Sequence, residues 1–479
     1  MDSRVVALAA AVVLALPGLA RANPWDLFGF NARGIAMGGA QTASANDFTA
    51  VYTNPASLTQ APDANFGFGF NMMKPQLHLH FDKDDRSIAE VEPPTTNGIT
   101  FGLLFPLGGE GFKDRVAMGL AINVPTSSLL SGQALDPAIP QWSMYQSLPR
   151  RIVAALGVGA KPVDWLSLGL SVQILAGLSG RLDYELDVVA GQLSRKSVTF
   201  DIKPVAAPIA GIEVRPLPGF RVGLSYRAEI DSEIDLPVEL EVTGVADLLV
   251  TTFFRVQYMP HQISLGSSYD WAELDLTLAF NLDYALWSKA PDPSVDSRID
   301  VSGALVEGTG LDDAFDAPAP GRERSVELGY RDVFVPRFGV EKRMGFFAVR
   351  AGYALRPSPA PVQSSGTNYI DGTAHAFSLG AGVRFFDPLG ALAGPLTFDV
   401  AAALHYLPDR RHTKVTRDDP VGSYDAGGQI WVLGAALSYH YGIAPAKPAP
   451  AVRVQDVLHH GDPPAPEAPQ DDLPEGDAE

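Results

Sequence analysis

The sequence predicts an all-β protein, a 14-stranded antiparallel transmembrane β-barrel, and three observations carry that prediction. Apolar residues alternate with other residues over segments of about ten, as strands with two unlike faces require. The connections between these segments are alternately short and long. A secretory leader precedes them, and no later stretch holds the roughly 18 continuous apolar residues of a helical span.

The leader comes first. Arg4 lies in a short n-region, Val5 to Ala20 is apolar, and Ala20-Arg21-Ala22 is an A-x-A cleavage site. Residues 1–22 are therefore expected to be removed, leaving a mature chain that begins near Asn23. The apolar run is short for an anchor and Pro17 interrupts it. The absence of cysteine excludes a disulfide scaffold and thiol redox chemistry. A net charge of −19 argues against nucleic-acid binding. The 46 glycines follow no repeat of about 20–50 residues, so solenoids and propellers are excluded.

Residues 23–62 form a separate N-terminal segment. Its centre, 31–60, is rich in Gly and Ala, poor in charge, and lacks a helical or strand period. It is too small-residued to build a core and too apolar for a solvated linker. Such a segment needs a larger structure around it.

The barrel is expected over 63–442. In 274–287, Leu274, Leu276, Leu278, Phe280, Leu282, Tyr284 and Leu286 oppose Asp275, Thr277, Ala279, Asn281, Asp283 and Ala285. In 396–406, Leu396, Phe398, Val400, Ala402, Leu404 and Tyr406 oppose Thr397, Asp399 and His405. In 166–174, leucines, Val172 and Ile174 oppose Ser167, Gly169, Ser171 and Gln173. The last segment carries Trp431, Leu433, Leu437, Tyr439 and Tyr441 on one face, aromatic at both ends. The expected strands are 64–80, 97–105, 115–124, 150–160, 165–178, 197–213, 219–230, 251–269, 274–287, 325–341, 346–356, 375–386, 396–407 and 429–441.

A β-sandwich turns its apolar faces inward; a membrane barrel turns them to lipid. Connection length decides between them. Short connections at 161–164, 214–218, 270–273 and 342–345 alternate with long ones at 125–149, 179–196, 231–250, 288–324, 357–374 and 408–428. One side of the sheet thus carries tight periplasmic turns and the other long extracellular loops, as in barrels of the Gram-negative outer membrane. Register is well defined, because slipping 274–287 by one residue would put Asp275 and Asp283 into hydrocarbon. Each would cost somewhat less than the roughly 2–4 kcal/mol of a midplane Arg or Lys. An even strand number places both barrel ends in the periplasm, where 443–479, a Pro/acid-rich stretch, is expected to be a disordered tail.

Within this frame, 23–62 reads as a plug in the lumen. The series Gly34-Ile35-Ala36-Met37-Gly38-Gly39-Ala40, Asn46-Asp47 and Asn54-Pro55-Ala56 resembles the hatch of FadL-type outer-membrane transporters of long-chain fatty acids and aromatic hydrocarbons. Further echoes follow in order. They are Asn123-Val124-Pro125, Tyr258-Met259-Pro260, Leu282-Asp283-Tyr284 with Trp287-Ser288, and Pro336-Arg337-Phe338-Gly339-Val340-Glu341. Val349-Arg350-Ala351-Gly352-Tyr353 with Pro357-Ser358-Pro359 completes the set, so the resemblance covers 31–441 and not the tail. It implies fourteen strands, a hatch in the lumen, and passive uptake of hydrophobic molecules. Ligand would be captured at the extracellular loops, pass over the hatch, and leave laterally near a kink in the third strand.

The hatch residues carried over are Gly38, Gly39, Asp47, Asn54, Pro55 and Ala56. Pro55 fixes φ and lacks an N–H, Asn54 can bond backbone through its side chain, and Gly38-Gly39 allow close approach. These properties suit a static turn as well as a moving gate. The family's carboxylate-binding cations have no counterpart by motif; Arg33, Arg150 and Arg151 are candidates by position.

No hydrolase, metalloprotease, P-loop or dinucleotide motif is present, so the chain reads as a non-enzyme without a cofactor. His78 with His80 read as interface residues at a strand's outer end, and Asp82, Asp84 and Asp85 as a solvated loop, sooner than as metal ligands; His459 and His460 in the tail read as solvated. The expected partners are a hydrophobic small molecule, outer-membrane lipid and lipopolysaccharide, and a periplasmic partner for the tail. Two functions follow: uptake of hydrophobic molecules, or a non-transporting barrel that displays loops or anchors a complex through its acidic tail. A transporter needs an apolar cluster above the hatch. The inward residues of three expected strands are mostly polar, so Leu129, Leu130, Trp142, Met144 and Tyr145 of the 125–149 loop are the candidate capture residues.

Overall fold

Period-two alternation becomes the wall of a barrel in the structure, a computed structural model. It describes residues 31–441 apart from 62, 84–92, 108–114, 127–137, 147–151, 188–191, 243–245, 292–295, 303–327 and 417–418. The leader and the tail thus lie outside the described residues.

The seventeen strands are β1 (Ala64–Phe81), β2 (Thr96–Pro106), β3 (Val116–Pro125), β4 (Val153–Val163), β5 (Leu166–Asp187), β6 (Gln192–Leu217), β7 (Phe220–Arg227), β8 (Ile230–Val242), β9 (Ala246–Met259), β10 (Gln262–Trp271), β11 (Leu276–Ala285), β12 (Asp296–Ser302), β13 (Val333–Met344), β14 (Phe347–Arg356), β15 (Ala374–Phe386), β16 (Pro395–His412) and β17 (Tyr424–Tyr441). Fourteen of them close a ring. β1 to β7 pair in sequence, β7 pairs with β10, β10 with β11, β11 with β13, and β13 to β17 pair in sequence. β17 then pairs with β1 from Ala64 opposite Tyr441 to Phe81 opposite Tyr424, so the wall has no open edge.

The other three strands correct the sequence reading. β8, β9 and β12 leave the ring and pair with one another, and β8 runs parallel to the outer part of β5. The expected single strand 251–269 is therefore two elements, β9 outside the ring and β10 within it. The expected loop 231–250 holds β8 and the start of β9. It alternates too (Ile234, Leu236, Val238, Leu240, Val242), so a strand signal was present inside a connection. Asp275 is also displaced from its expected place. It sits at φ 46° in the turn before β11 and not on the inner face.

Facing follows the expected register. On β11 Thr277, Asn281 and Asp283 are buried inside while Leu278 is exposed outside, and on β16 Asp399 and His405 face in while Phe398, Val400 and Tyr406 face out. The outward apolar stretch of β17 runs from Tyr441 to Trp431. Ten residues at about 3.3 Å each, tilted about 40°, span roughly 25 Å, the height of a lipid-facing band. Exposed Trp165, Trp271, Phe346, Phe347 and Tyr441 mark the band's lower rim, and Trp431 and Tyr406 its upper rim. The chain is an outer-membrane β-barrel. No helix of the described residues is long enough to cross a membrane.

Candidate functional site

Residues 31–61 fold into short pieces that are fixed by their own side chains. Helix α1 (Ala32–Ala36) begins at Asn31, whose side chain accepts from Gly34 N at 2.8 Å and donates to Asp47 at 2.6 Å. Gly38 and Gly39 follow at φ 63° and 76°, a left-handed turn that L-residues resist. Asp47 accepts from the Thr49 backbone at 2.9 Å ahead of α2 (Ala50–Thr53). Asn54 then caps a 3-10 helix over Pro55–Gln60, accepting from Ala56 N at 3.2 Å, and Pro55 stands first, where no N–H is needed. The Asn54 amide also donates to Thr42 O at 2.8 Å and to Ile212 O on β6 at 3.2 Å. Asn54, Pro55 and Ala56 are buried.

The wall receives this segment with glycines. A Cβ at Gly211 would collide with the Asn54 carboxamide, one at Gly169 with the Pro55–Ala56 backbone, and one at Gly352 with Gly38. Gly67 and Gly102, which face each other across β1 and β2, likewise leave room for the Phe48 ring. The segment therefore lies in the lumen, in contact with the inner face on several sides. Sequence reading did not find these wall positions. Their signal is glycine recurring at inward places of alternating strands, as at Gly169.

Polar contacts complete the fit. Arg337 on β13 bonds Asp283 of β11 at 2.7 Å and the Gly38 carbonyl at 3.3 Å. Arg33 bonds Glu341 at 2.9 Å; Arg350 bonds the same carboxylate at 2.6 Å and Asp399 at 2.5 Å. Ser57 donates to the buried Glu213 at 2.6 Å, and Ser171 to Val51 O at 2.7 Å. Arg33, a candidate cation for a substrate, is thus held by Glu341. Arg150 and Arg151 lie outside the described residues.

Above α1 the lumen is apolar. Ala32, Ile35 and Ala36 join Val333, Leu407, Ile430 and Val432 of the wall in one buried cluster. Trp142, Met144 and Tyr145, on or beside helix α3 (Ser143–Gln146), reach the same cluster. Leu129 and Leu130 lie outside the described residues. The α3 loop is bound to the loop after β14, for Gln141 N donates to Asn368 O at 3.1 Å and Ile370 N to Gln141 O at 2.8 Å. Arg356 and Asp371 pair at 2.8 Å, and both contact the Tyr145 hydroxyl. Burial pushes that phenol's pKa up. A second apolar cluster, with Phe48, Val51, Leu58, Leu104, Leu175 and Met259, lies along the α2 side.

Free space is distributed unevenly. Over α1, beside Arg337, Arg356 and His405, a cavity of about 20 Å³ has room for one water. Around Arg33, Asp47, Glu341 and Arg384, towards the β13–β14 turn, a pocket of about 300 Å³ is lined by charged groups. A third, of about 670 Å³, opens by Gln60, Arg215 and Asp270 near the β6–β7 turn. β3 pairs with β2 and with β4 without a register shift, so the wall there is closed.

At the outer rim His78 pairs with Asp409 at 2.8 Å and its ring lies 4.7 Å from His80. Among the described residues no three metal-capable groups converge. Asp82 is tied to Arg411, and that contact holds its carboxyl below the usual range; Asp84 and Asp85 lie outside the described residues.

No protein-family model and no curated protein sequence matches the chain. Solved structures do. A Pseudomonas aeruginosa FadL homologue aligns at TM-score 0.56 and 17% identity, over 88% of this chain and 100% of that one. The P. putida toluene transporter TodX aligns at 0.51 and 16%, over 87% and 99%. The monoaromatic hydrocarbon channel CymD aligns at 0.50 and 16%, over 87% and 98%. The chain has the fold of these proteins.

Proposed function

We propose that the protein is an outer-membrane channel for passive uptake of hydrophobic small molecules, long-chain fatty acids or aromatic hydrocarbons, with residues 31–61 as its hatch. The observation that carries this reading is the apolar cluster over α1, which joins the hatch, the inner wall and the α3 loop. An aromatic-sized solute burying roughly 200 Å² there would gain about 5 kcal/mol at ~25 cal/mol per Å². A display scaffold has no need of such a lining. The pocket around Arg33 and Glu341 offers charges instead, so a solute leaving the cluster is better received by lipid than by that space. This favours a lateral exit. With β3 paired on both sides, the exit would require local parting of the wall where Leu58 packs on Gly119. The solute's own gradient suffices as the driving force. The proteins that share this fold, a FadL homologue, a toluene transporter and a monoaromatic hydrocarbon channel, agree with this reading.

Native mass spectrometry of the detergent-purified protein tests it. A co-purified fatty acid or hydrocarbon, displaced when Trp142 and Met144 are replaced by Asp, is the expected result. An empty protein, joined to unchanged uptake on deletion of its gene, would overturn it.

A further inference from the structure

The apolar cluster contains a polar group that it does not need for packing. Arg356 is 2% exposed and Asp371 fully buried, and the Arg356 guanidinium bonds Asp371 at 2.8 and 3.3 Å. The third member is the Tyr145 hydroxyl, which receives Arg356 Nη2 and lies 3.4 Å from Asp371 Oδ1. Tyr145 belongs to an extracellular loop, yet its ring is 1% exposed, packed by Trp142 at 6.3 Å between centroids. A loop has delivered a phenol into the lumen, with its ring among apolar groups and its oxygen on a buried ion pair.

Beside this pair lies the 20 Å³ cavity, lined by Arg356, His405 and Ile35. Arg356 Nε and His405 Nε2 are buried there without a hydrogen-bond partner. Arg356 Nε, which can only donate, asks there for an oxygen acceptor even with the Tyr145 hydroxyl in place. Arg356 is balanced by Asp371, and Arg337 by Asp283. A bare hydrocarbon in place of the phenol would leave Arg356 Nη2 and Asp371 Oδ1 without the Tyr145 oxygen they share. An uncharged hydroxyl restores both contacts and adds no charge beside the pair, as Tyr145 does.

We propose that Tyr145 is a resident surrogate for the substrate, and that the preferred cargo is a hydrophobic molecule bearing one uncharged hydroxyl, of the alkylphenol class. Cargo enters by displacing the tyrosine from Arg356 and Asp371, so the α3 loop competes with substrate until it is pushed aside. This rests on the uptake reading above and narrows it.

The test is calorimetric titration of the full-length protein in detergent with 4-ethylphenol, ethylbenzene and ionised 4-ethylbenzoate, for wild type, Tyr145→Ala and Tyr145→Phe. Heat-modifiable migration of the folded barrel on gels checks each variant. Tyr145→Ala is expected to bind 4-ethylphenol about tenfold tighter than wild type does and about tenfold tighter than it binds either other probe, the worth of a hydrogen bond to a charged group. Tyr145→Phe, which keeps the ring and frees the ion pair, is expected to gain roughly threefold for the phenol and nothing for ethylbenzene. Equal binding of the three probes, or an unchanged phenol affinity in both variants, overturns the surrogate. Ethylbenzene bound and carried into proteoliposomes without hydroxyl preference would sink the surrogate alone. If none of the probes binds or crosses, the uptake reading falls with it.

Discussion

The two sides of the hatch are built from opposite chemistry. Over α1 the lumen is lined by apolar side chains, and a cavity there among the described residues has room for about one water. Around Arg33 and Glu341 it is charged and roomy, with about 300 Å³ of space. On the proposed uptake reading, the difference says where a hydrophobic solute would find its contacts, and residues 31–61 border both the apolar side and the charged one. The hatch is held differently too. Towards β13 it is tied by polar bonds, Arg33 to Glu341 and the Gly38 carbonyl to Arg337, while β1, β2, β5 and β6 meet Phe48 and the Asn54–Ala56 turn with glycines.

Removing the separation altogether gives the largest effect. Deleting 31–60 is expected to turn a closed barrel into an ion-conducting pore in planar bilayers, because the polar inner faces of β5, β11 and β16 would then line open space. Unchanged conductance would show that the segment does not divide the lumen. Next comes the ionic seat. Arg337→Ala leaves Asp283 buried and alone at 3% exposure, which is expected to cost about 3–5 kcal/mol, whereas Arg337→Met with Asp283→Leu should recover most of it. Thermal conversion of the folded gel band reports the difference; equal loss in both variants would assign the effect to packing against Gly38.

The glycine side should respond less. Gly169→Val drives a side chain into the Pro55–Ala56 backbone, with an expected cost of about 1–3 kcal/mol and a partial leak in the same bilayer assay. A tight, full-strength barrel would mean that the turn shifts without breaking the seal.

How much of this was legible in the sequence depends on whether the signal was periodic. Wall, facing and sidedness follow from alternation and connection length, and β11 shows it: Asp283 and Asn281 lie inside as their register demands. The extra strands were missed because connection length was read as loop, although Ile234 to Val242 alternate. The ordered motifs after β11 carried more than a resemblance. Asp283, Arg337, Glu341, Arg350 and Gly352 come from three strands, β11, β13 and β14, and meet beside the hatch in ion pairs and a close approach. That convergence is set by closure of the ring, which no local pattern encodes. Trp142, Met144 and Tyr145 were named for their apolarity in a long loop; that the loop folds inward, onto Arg356 and Asp371, is tertiary information.

The smallest effect lies at the outer rim, where groups are wet and the contrast across the hatch fades. Asp82 accepts from Arg411, which also bonds Asp425 at 3.1 Å, and Asp82 N bonds Ser423 O at 3.0 Å. Arg411 holds the Asp82 carboxyl below its ordinary pKa. A carboxylate depressed in the folded state contributes stability at neutral pH and loses it as pH falls through the folded value. Both side chains are largely exposed, so the contribution is small and screened by salt. Hydrogen exchange at the Asp82 amide, corrected for intrinsic rate, is expected to be slower in wild type than in Arg411→Ala at neutral pH. That gap should close in acid below the usual carboxylate range, while the buried amides of Asn54 and Ser57, bonded to Ala50 O and Asn54 O, keep their protection. A gap that persists in acid would place the tie in the Arg411–Asp425 contact instead. Loss of protection at Asn54 and Ser57 over the same range would show that the rim and the hatch are coupled, and that the two regions do not act independently.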